Sequence, residues 1–227
     1  MTDTALSPSP TNSRARLWAE FLTLFLGVPI LMAVFWDEIA ARKALFGIVW
    51  LLALVSAFLL WRTPSFSFRT LLRGPVLSEW PIIAGYFVVT AATCVIFVLV
   101  VAPESFLSIP TYRPNLWIAI MILYPLLSAL PQELIFRSLF FERYGVLFPT
   151  PAILLLANGL VFGIGHLFYM NWITIAMTAI GGTIMGWAYL RNRSVGLAWV
   201  LHALAGQIIF TVGLGVYFYH GAVGSAP

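Results

Sequence analysis

The sequence predicts an all-α, polytopic membrane helical bundle with seven to eight transmembrane helices. Three observations predict it. Of 227 residues, 61% are hydrophobic and only 9% are charged, whereas a soluble domain carries about one quarter charged residues. The mean hydropathy is +0.97. Several apolar runs approach or exceed the roughly 18 residues that a span requires. Such a chain has too little polar surface for water, and lipid is the solvent for much of it.

Residues 1–16, MTDTALSPSPTNSRAR, are polar and rich in Ser, Thr and Pro, and predict a disordered cytoplasmic tail. Their arginines come late and no short apolar region with a small-residue cleavage site follows, so they do not read as a signal peptide. Seven apolar segments follow, at about 17–36, 44–61, 81–102, 116–130, 151–170, 172–190 and 195–219. The mixed stretch 131–148 either extends the fourth span or forms a short re-entrant or interfacial helix. Pro131, Pro149 and Pro151 predict breaks around it. The domain reading is a tail at 1–16, N-terminal membrane helices at 17–110, a core with a polar intramembrane site at 111–220, and a short tail at 221–227.

With seven spans and a cytoplasmic N-terminus, the inside holds Arg14, Arg16, Arg62, Arg69, Arg73, Arg137, Arg143, Arg191 and Arg193, and the outside Arg42, Lys43 and Arg113. Basic residues collect on the cytoplasmic side of spans, so the N-terminus is expected inside. The net charge of +4 belongs to this flanking pattern and not to nucleic-acid binding. The partners expected are the lipid bilayer and a membrane protein or peptide, with no nucleic acid; the oligomeric state is not fixed by the sequence. Cys94, the single cysteine, has no intrachain disulfide partner. Gly182 and Gly186 form a GxxxG pattern that reads as close helix packing.

An ionisable group in hydrocarbon costs at least about 2.5–3.5 kcal/mol, so those inside spans should be few and paired. They are Glu20, Glu133, Arg137, His166 and His202. Glu20, near the start of its span, reads as structural or interfacial; His220, at the end of the last span, reads as incidental. Glu133 and Arg137 are spaced i, i+4 and share a helix face. Phe162 and His166 are also i, i+4, with Gly163 and Gly165 leaving little bulk beside the imidazole. His202 is followed one turn later by Gly206 and Gln207. Each alone reads as a structural pair or a packing residue. Together, one carboxylate and two histidines on three helices form a ligand set known for catalytic zinc. The same residues could activate water without a metal.

The stretches Gln132-Glu133-Leu-Ile-Phe-Arg137, Phe162-Gly-Ile-Gly-His166 and His202-Ala-Leu-Ala-Gly206, in that order on separate helices, resemble the CPBP family. These are membrane-embedded peptidases related to the type II CAAX prenyl endopeptidases, also called the Abi family, with the pattern EExxxR, FxxxH and HxxxN/D. The resemblance covers about 116–210. It implies about eight helices, a cytosol-facing intramembrane cavity and hydrolysis of a peptide bond near the membrane surface. It implies catalytic roles for Glu133, His166, His202, Arg137 and Gln132, and substrate contacts at Phe162, Gly206 and Gln207. If a metal such as zinc is used, Glu133, His166 and His202 are the expected ligands. A bacterial cytoplasmic membrane is the expected location.

Two positions depart from the pattern. Gln132 stands where the family has its first glutamate, and an amide does not titrate near neutral pH. Gly206 stands where the family has Asn or Asp. They motivate an alternative: a catalytically lapsed relative acting as a membrane binding or bacteriocin-immunity-type protein. A proton-coupled carrier is a third reading, disfavoured by the lack of a repeated half.

Overall fold

The computed structural model describes residues 14–64, 66–71, 74 and 76–218. Most of the tail expected at 1–16, together with Arg73, His220 and 221–227, lies outside the described residues. The described residues form helices and no strands. Six helices are long and apolar enough to cross a membrane: α1 (Arg14–Val34), α3 (Val76–Val101), α4 (Pro114–Arg143), α5 (Pro151–Tyr169), α6 (Trp172–Asn192) and α7 (Val195–Val212). The shorter apolar helix α2 (Leu45–Trp61) lies between the first two.

The fourth span differs most from expectation. Pro131 does not break it, and α4 runs through the 131–148 stretch to Arg143. At 1.5 Å per residue, its 30 residues extend about 45 Å, longer than the roughly 30 Å hydrocarbon core. Proline inside a helix withholds an N–H from the carbonyl four residues back. Neighbouring helices supply the missing donors. Gln207 Nε2 donates to the Met121 carbonyl, four residues before Pro125, at 2.8 Å. Trp50 Nε1 donates to the Leu127 carbonyl, four residues before Pro131, at 3.2 Å. The helix also widens into π turns at Pro125–Ala129 and Leu134–Leu139, a local form common at functional sites. Pro149 and Pro151 do mark a boundary, where Thr150 caps α5 by accepting from the Ile153 N–H.

α5 and α6 pack backbone to backbone. A Cβ on Gly163 would lie 2.9 Å from the Ile175 carbonyl oxygen, and one on Gly182 would lie 2.7 Å from Phe162 Cβ. A Cβ on Gly186 would lie 2.6 Å from Asn158 Oδ1. The GxxxG pair therefore serves close packing, and its partners are residues of the polar site. Gly182→Leu is expected to force Phe162 out of place at about 1–3 kcal/mol, as overpacked cores do. Chemical unfolding in detergent would read the loss; an unchanged midpoint would contradict the packing account.

The bundle has two ends. At one, Glu20 accepts from Arg143 at 2.7 Å and from Arg16 at 3.0 Å, and Arg191 pairs with Glu79. This clamp gives Glu20 the structural role expected of it. At the other end, Trp36 stacks on Phe168 with centroids 4.8 Å apart, and the Leu107 N–H donates to the Val212 carbonyl.

Candidate active site

Three helices bring the polar residues together at mid-bundle. The second π turn of α4 begins just after Glu133. Glu133 and Arg137 are both fully buried. Glu133 Oε2 lies 3.3 Å from Arg137 Nε, and Glu133 Oε1 lies 2.8 Å from His202 Nδ1 on α7. The guanidinium is held from further sides. Its Nη1 donates to Asn158 Oδ1 at 2.9 Å and to the Phe136 carbonyl at 3.2 Å. Its Cζ sits 4.8 Å from the centroid of the Phe162 ring. Asn158 Nδ2 donates to the same Phe136 carbonyl at 2.6 Å. A buried charge pair is tolerable only when its remaining donors and acceptors are met; Asn158 and the Phe136 carbonyl take Nη1, and Met185 Sδ takes Nη2 at 3.6 Å. Asn158 is a site residue that a reading confined to ionisable groups passes over. Its signal was an amide inside the run LLLANGLVFGIGH, four residues before Phe162.

Within α5 the α-helical part ends at Ile164 and His166 sits in the turn that follows, so the Phe162 carbonyl is left without its helical donor. The imidazole supplies it: His166 Nδ1 lies 2.8 Å from Phe162 O. A carbonyl only accepts, so Nδ1 carries the proton and Nε2 holds the lone pair. His202 Nδ1 likewise faces an acceptor, the Glu133 carboxylate. Both imidazoles thus commit Nδ1, to partners of different charge, and leave Nε2 for other contacts. Phe162 sits between them, its ring 4.8 Å from His166 and 5.4 Å from His202, centroid to centroid.

Both histidines line a cavity of about 370 Å³. Gln132, Phe162 and Gly206 also line it; Glu133, Arg137 and Gln207 do not. Of the neighbouring pair at 132 and 133, the glutamine thus meets the cavity and the glutamate stays behind the site. Gln132 Nε2 donates to Ser128 Oγ at 2.9 Å. Gln207, expected at the substrate, has its amide committed to the Met121 carbonyl. Gly163 and Gly165, expected to admit a close approach beside His166, admit protein. A Cβ on Gly165 would lie 2.7 Å from Phe136 Cζ.

The cavity wall is mostly apolar and reaches the lipid-facing surface between α2 and α3, where Phe46 and Val89 are both exposed and both line it. It extends to Met32, Leu45, Phe168 and Tyr169 at the end of the bundle opposite the Glu20 clamp.

The metal set expected from sequence, Glu133, His166 and His202, does not fit this arrangement. Glu133 is occupied on one oxygen by His202 and on the other by Arg137. Among the described residues no group of three or more His, Cys, Asp or Glu side chains is placed to hold a metal ion.

The segment carrying all of these groups, residues 114–208, matches the family described as type II CAAX prenyl endopeptidase Rce1-like. Residues 114–208 are an Rce1-like domain. The CPBP resemblance carried by the three motifs is borne out over this segment. Neither the curated proteins nor the solved structures yield a match to the chain. The Rce1-like domain spans α4 to most of α7, so it supplies every residue of the Glu133, Arg137, His166 and His202 cluster.

Proposed function

We propose that the protein is an intramembrane endopeptidase that hydrolyses a peptide bond of a membrane-embedded or membrane-proximal substrate. The observation that carries this reading is the pair of imidazoles, each fixed by its Nδ1 partner, facing one cavity inside an Rce1-like domain. The two partners differ in charge. The Glu133 carboxylate compensates an imidazolium at His202, while the neutral Phe162 carbonyl compensates none at His166. His166 Nε2 is therefore assigned as the base that takes a proton from water, and the Gln132 amide orients that water. The hydroxide oxygen attacks the scissile carbonyl carbon. His202 Nε2–H donates to the carbonyl oxygen as it becomes negative, the largest single source of stabilisation in many such sites. The proton on His166 passes to the departing amide nitrogen as the C–N bond breaks, giving an amine and a carboxylic acid, which then releases its proton to solvent. Glu133 and Arg137 act as positioning residues behind His202, and no step is routed through a metal.

The test is cleavage of an internally quenched peptide joined to a transmembrane segment, with the purified protein in nanodiscs. Cleavage is expected from the natural chain and loss of it in His202→Ala. Activity is also expected to survive dialysis against a chelator; a loss that zinc restores would overturn the metal-free assignment. Equal cleavage by natural chain and variant would overturn the reading itself. Gln132 favours one alternative, a lapsed peptidase that binds without cleaving. Cleavage that appears only in Gln132→Glu would establish it.

Orientation belongs to the same proposal. Among the described residues, the end of the bundle with the Glu20 clamp holds Arg14, Arg16, Arg62, Arg69, Arg143, Arg191 and Arg193, and the other holds Arg42, Lys43 and Arg113. Charge bias supports a cytoplasmic first end, and the N-terminus is assigned there. The cavity then extends toward the non-cytoplasmic face, opposite to what the resemblance implies. A cysteine at Arg42 in a Cys94→Ser background is expected to react with an impermeant maleimide from outside intact cells. Reaction only after permeabilisation would reverse the assignment and turn the cavity to the cytosol.

A further inference from the structure

We infer that the Tyr124 hydroxyl is a second oxyanion donor at this site, occupying the space that the family's Asn or Asp side chain would otherwise enter. The inference rests on the peptidase reading above and identifies a residue that the sequence motifs do not contain.

Tyr124 lies on α4 immediately before Pro125, and α7 fixes it from both sides. Trp199 Nε1 donates to the Pro125 carbonyl at 2.7 Å, and Gln207 Nε2 donates to the Met121 carbonyl at 2.8 Å. Between Trp199 and Gln207 on α7 lie His202 and Gly206. The Tyr124 ring is therefore pinned where it meets them, edge-on to His202 with centroids 6.0 Å apart. It lies so close to Gly206 that an added Cβ would run into the ring and stand 2.6 Å from Tyr124 Oη. No residue with a side chain fits at 206 while the tyrosine is there. The glycine is thus the complement of the phenol.

Tyr124, His202 and Gly206 all line the cavity. Tyr124 is half-buried against the cavity, and its hydroxyl makes no hydrogen bond among the described residues. A phenol beside His202, rigidly held and with its O–H uncommitted, is suited to a substrate carbonyl oxygen. Two donors converging on one developing oxyanion is the arrangement such sites use.

Tyr124→Phe removes only the hydroxyl. It is expected to lower kcat on the order of 10²–10³-fold, as loss of one oxyanion donor does, with KM and unfolding midpoint nearly unchanged. Gly206→Asn alone should be damaging, because it displaces the ring. Tyr124→Ala alone should also be inactive, whereas Tyr124→Ala combined with Gly206→Asn should recover cleavage by restoring a donor. A peptide phosphonate, whose tetrahedral anion resembles the intermediate, separates this assignment from the reading it rests on. Cleavage by the natural chain with Tyr124→Phe unchanged in kcat and in phosphonate affinity overturns the donor and leaves the peptidase standing. No cleavage, but phosphonate binding at least tenfold weaker in Tyr124→Phe, keeps the donor and overturns the peptidase. Neither cleavage nor phosphonate binding by the natural chain overturns both.

Discussion

Glu133→Ala is expected to destabilise the bundle by about 3–5 kcal/mol, the range seen when one partner of a buried ion pair is removed. The guanidinium of Arg137 would remain fully buried beside the vacated position, with Asn158 and a carbonyl as neutral partners. His202 would at the same time lose the acceptor on its Nδ1, so cleavage should fall with stability. The unfolding midpoint in a mild detergent titrated with a denaturing one would read the first effect. Glu133→Gln should do less harm, because an amide oxygen can still accept from His202. The double variant Glu133→Ala with Arg137→Met should be more stable than Glu133→Ala alone, since it removes the orphaned charge. An Ala variant as stable as the natural chain would show that the pair is not the internal charge lock described here.

His166→Ala is expected to leave the bundle folded and to reduce kcat by about 10²–10⁴-fold, the usual contribution of a positioned acid or base. Among the described residues His166 makes one hydrogen bond, to the Phe162 carbonyl of α5, and no ion pair. Its removal should therefore be read in turnover and not in the unfolding midpoint, the reverse of the balance expected at Glu133. A His166→Ala protein that cleaves at the natural rate would transfer the base to another group. A variant that fails to fold would make His166 a packing residue.

These contrasting expectations depend on geometry that the sequence conveys only partly. The spans were legible because long apolar runs admit few alternatives, and six of them are helices of membrane-crossing length. The residues of the site were legible for a related reason. Glu133, Arg137, His166 and His202 are costly in hydrocarbon, so their presence demands a common cluster, and the structure forms one. The continuity of α4 was not legible. Pro131 predicts a break from local chemistry, but the donors that relieve α4's prolines come from Trp50 and Gln207, far away in sequence.

The side of α4 that meets the cavity was likewise hidden. Positions 132 and 133 differ by about 100° around the helix. Which of them meets the cavity follows from how α4 packs against its neighbours, distant in sequence. The consequence is chemical: the cavity meets an amide, and the carboxylate becomes a buried support for His202. Tyr124 escaped for a similar reason. Nothing marks one tyrosine among eight until Gly206 is seen against its ring.

If the histidines carry the chemistry, as proposed, Gln132 leaves the site active. The most direct measurement is single-turnover cleavage of the quenched membrane-anchored peptide by the purified natural chain, beside His166→Ala and Gln132→Glu. Cleavage by the natural chain, abolished in His166→Ala and not dependent on Gln132→Glu, is the predicted result. No cleavage until Gln132→Glu restores the second carboxylate would contradict it and make the natural protein a binding relative of the peptidases.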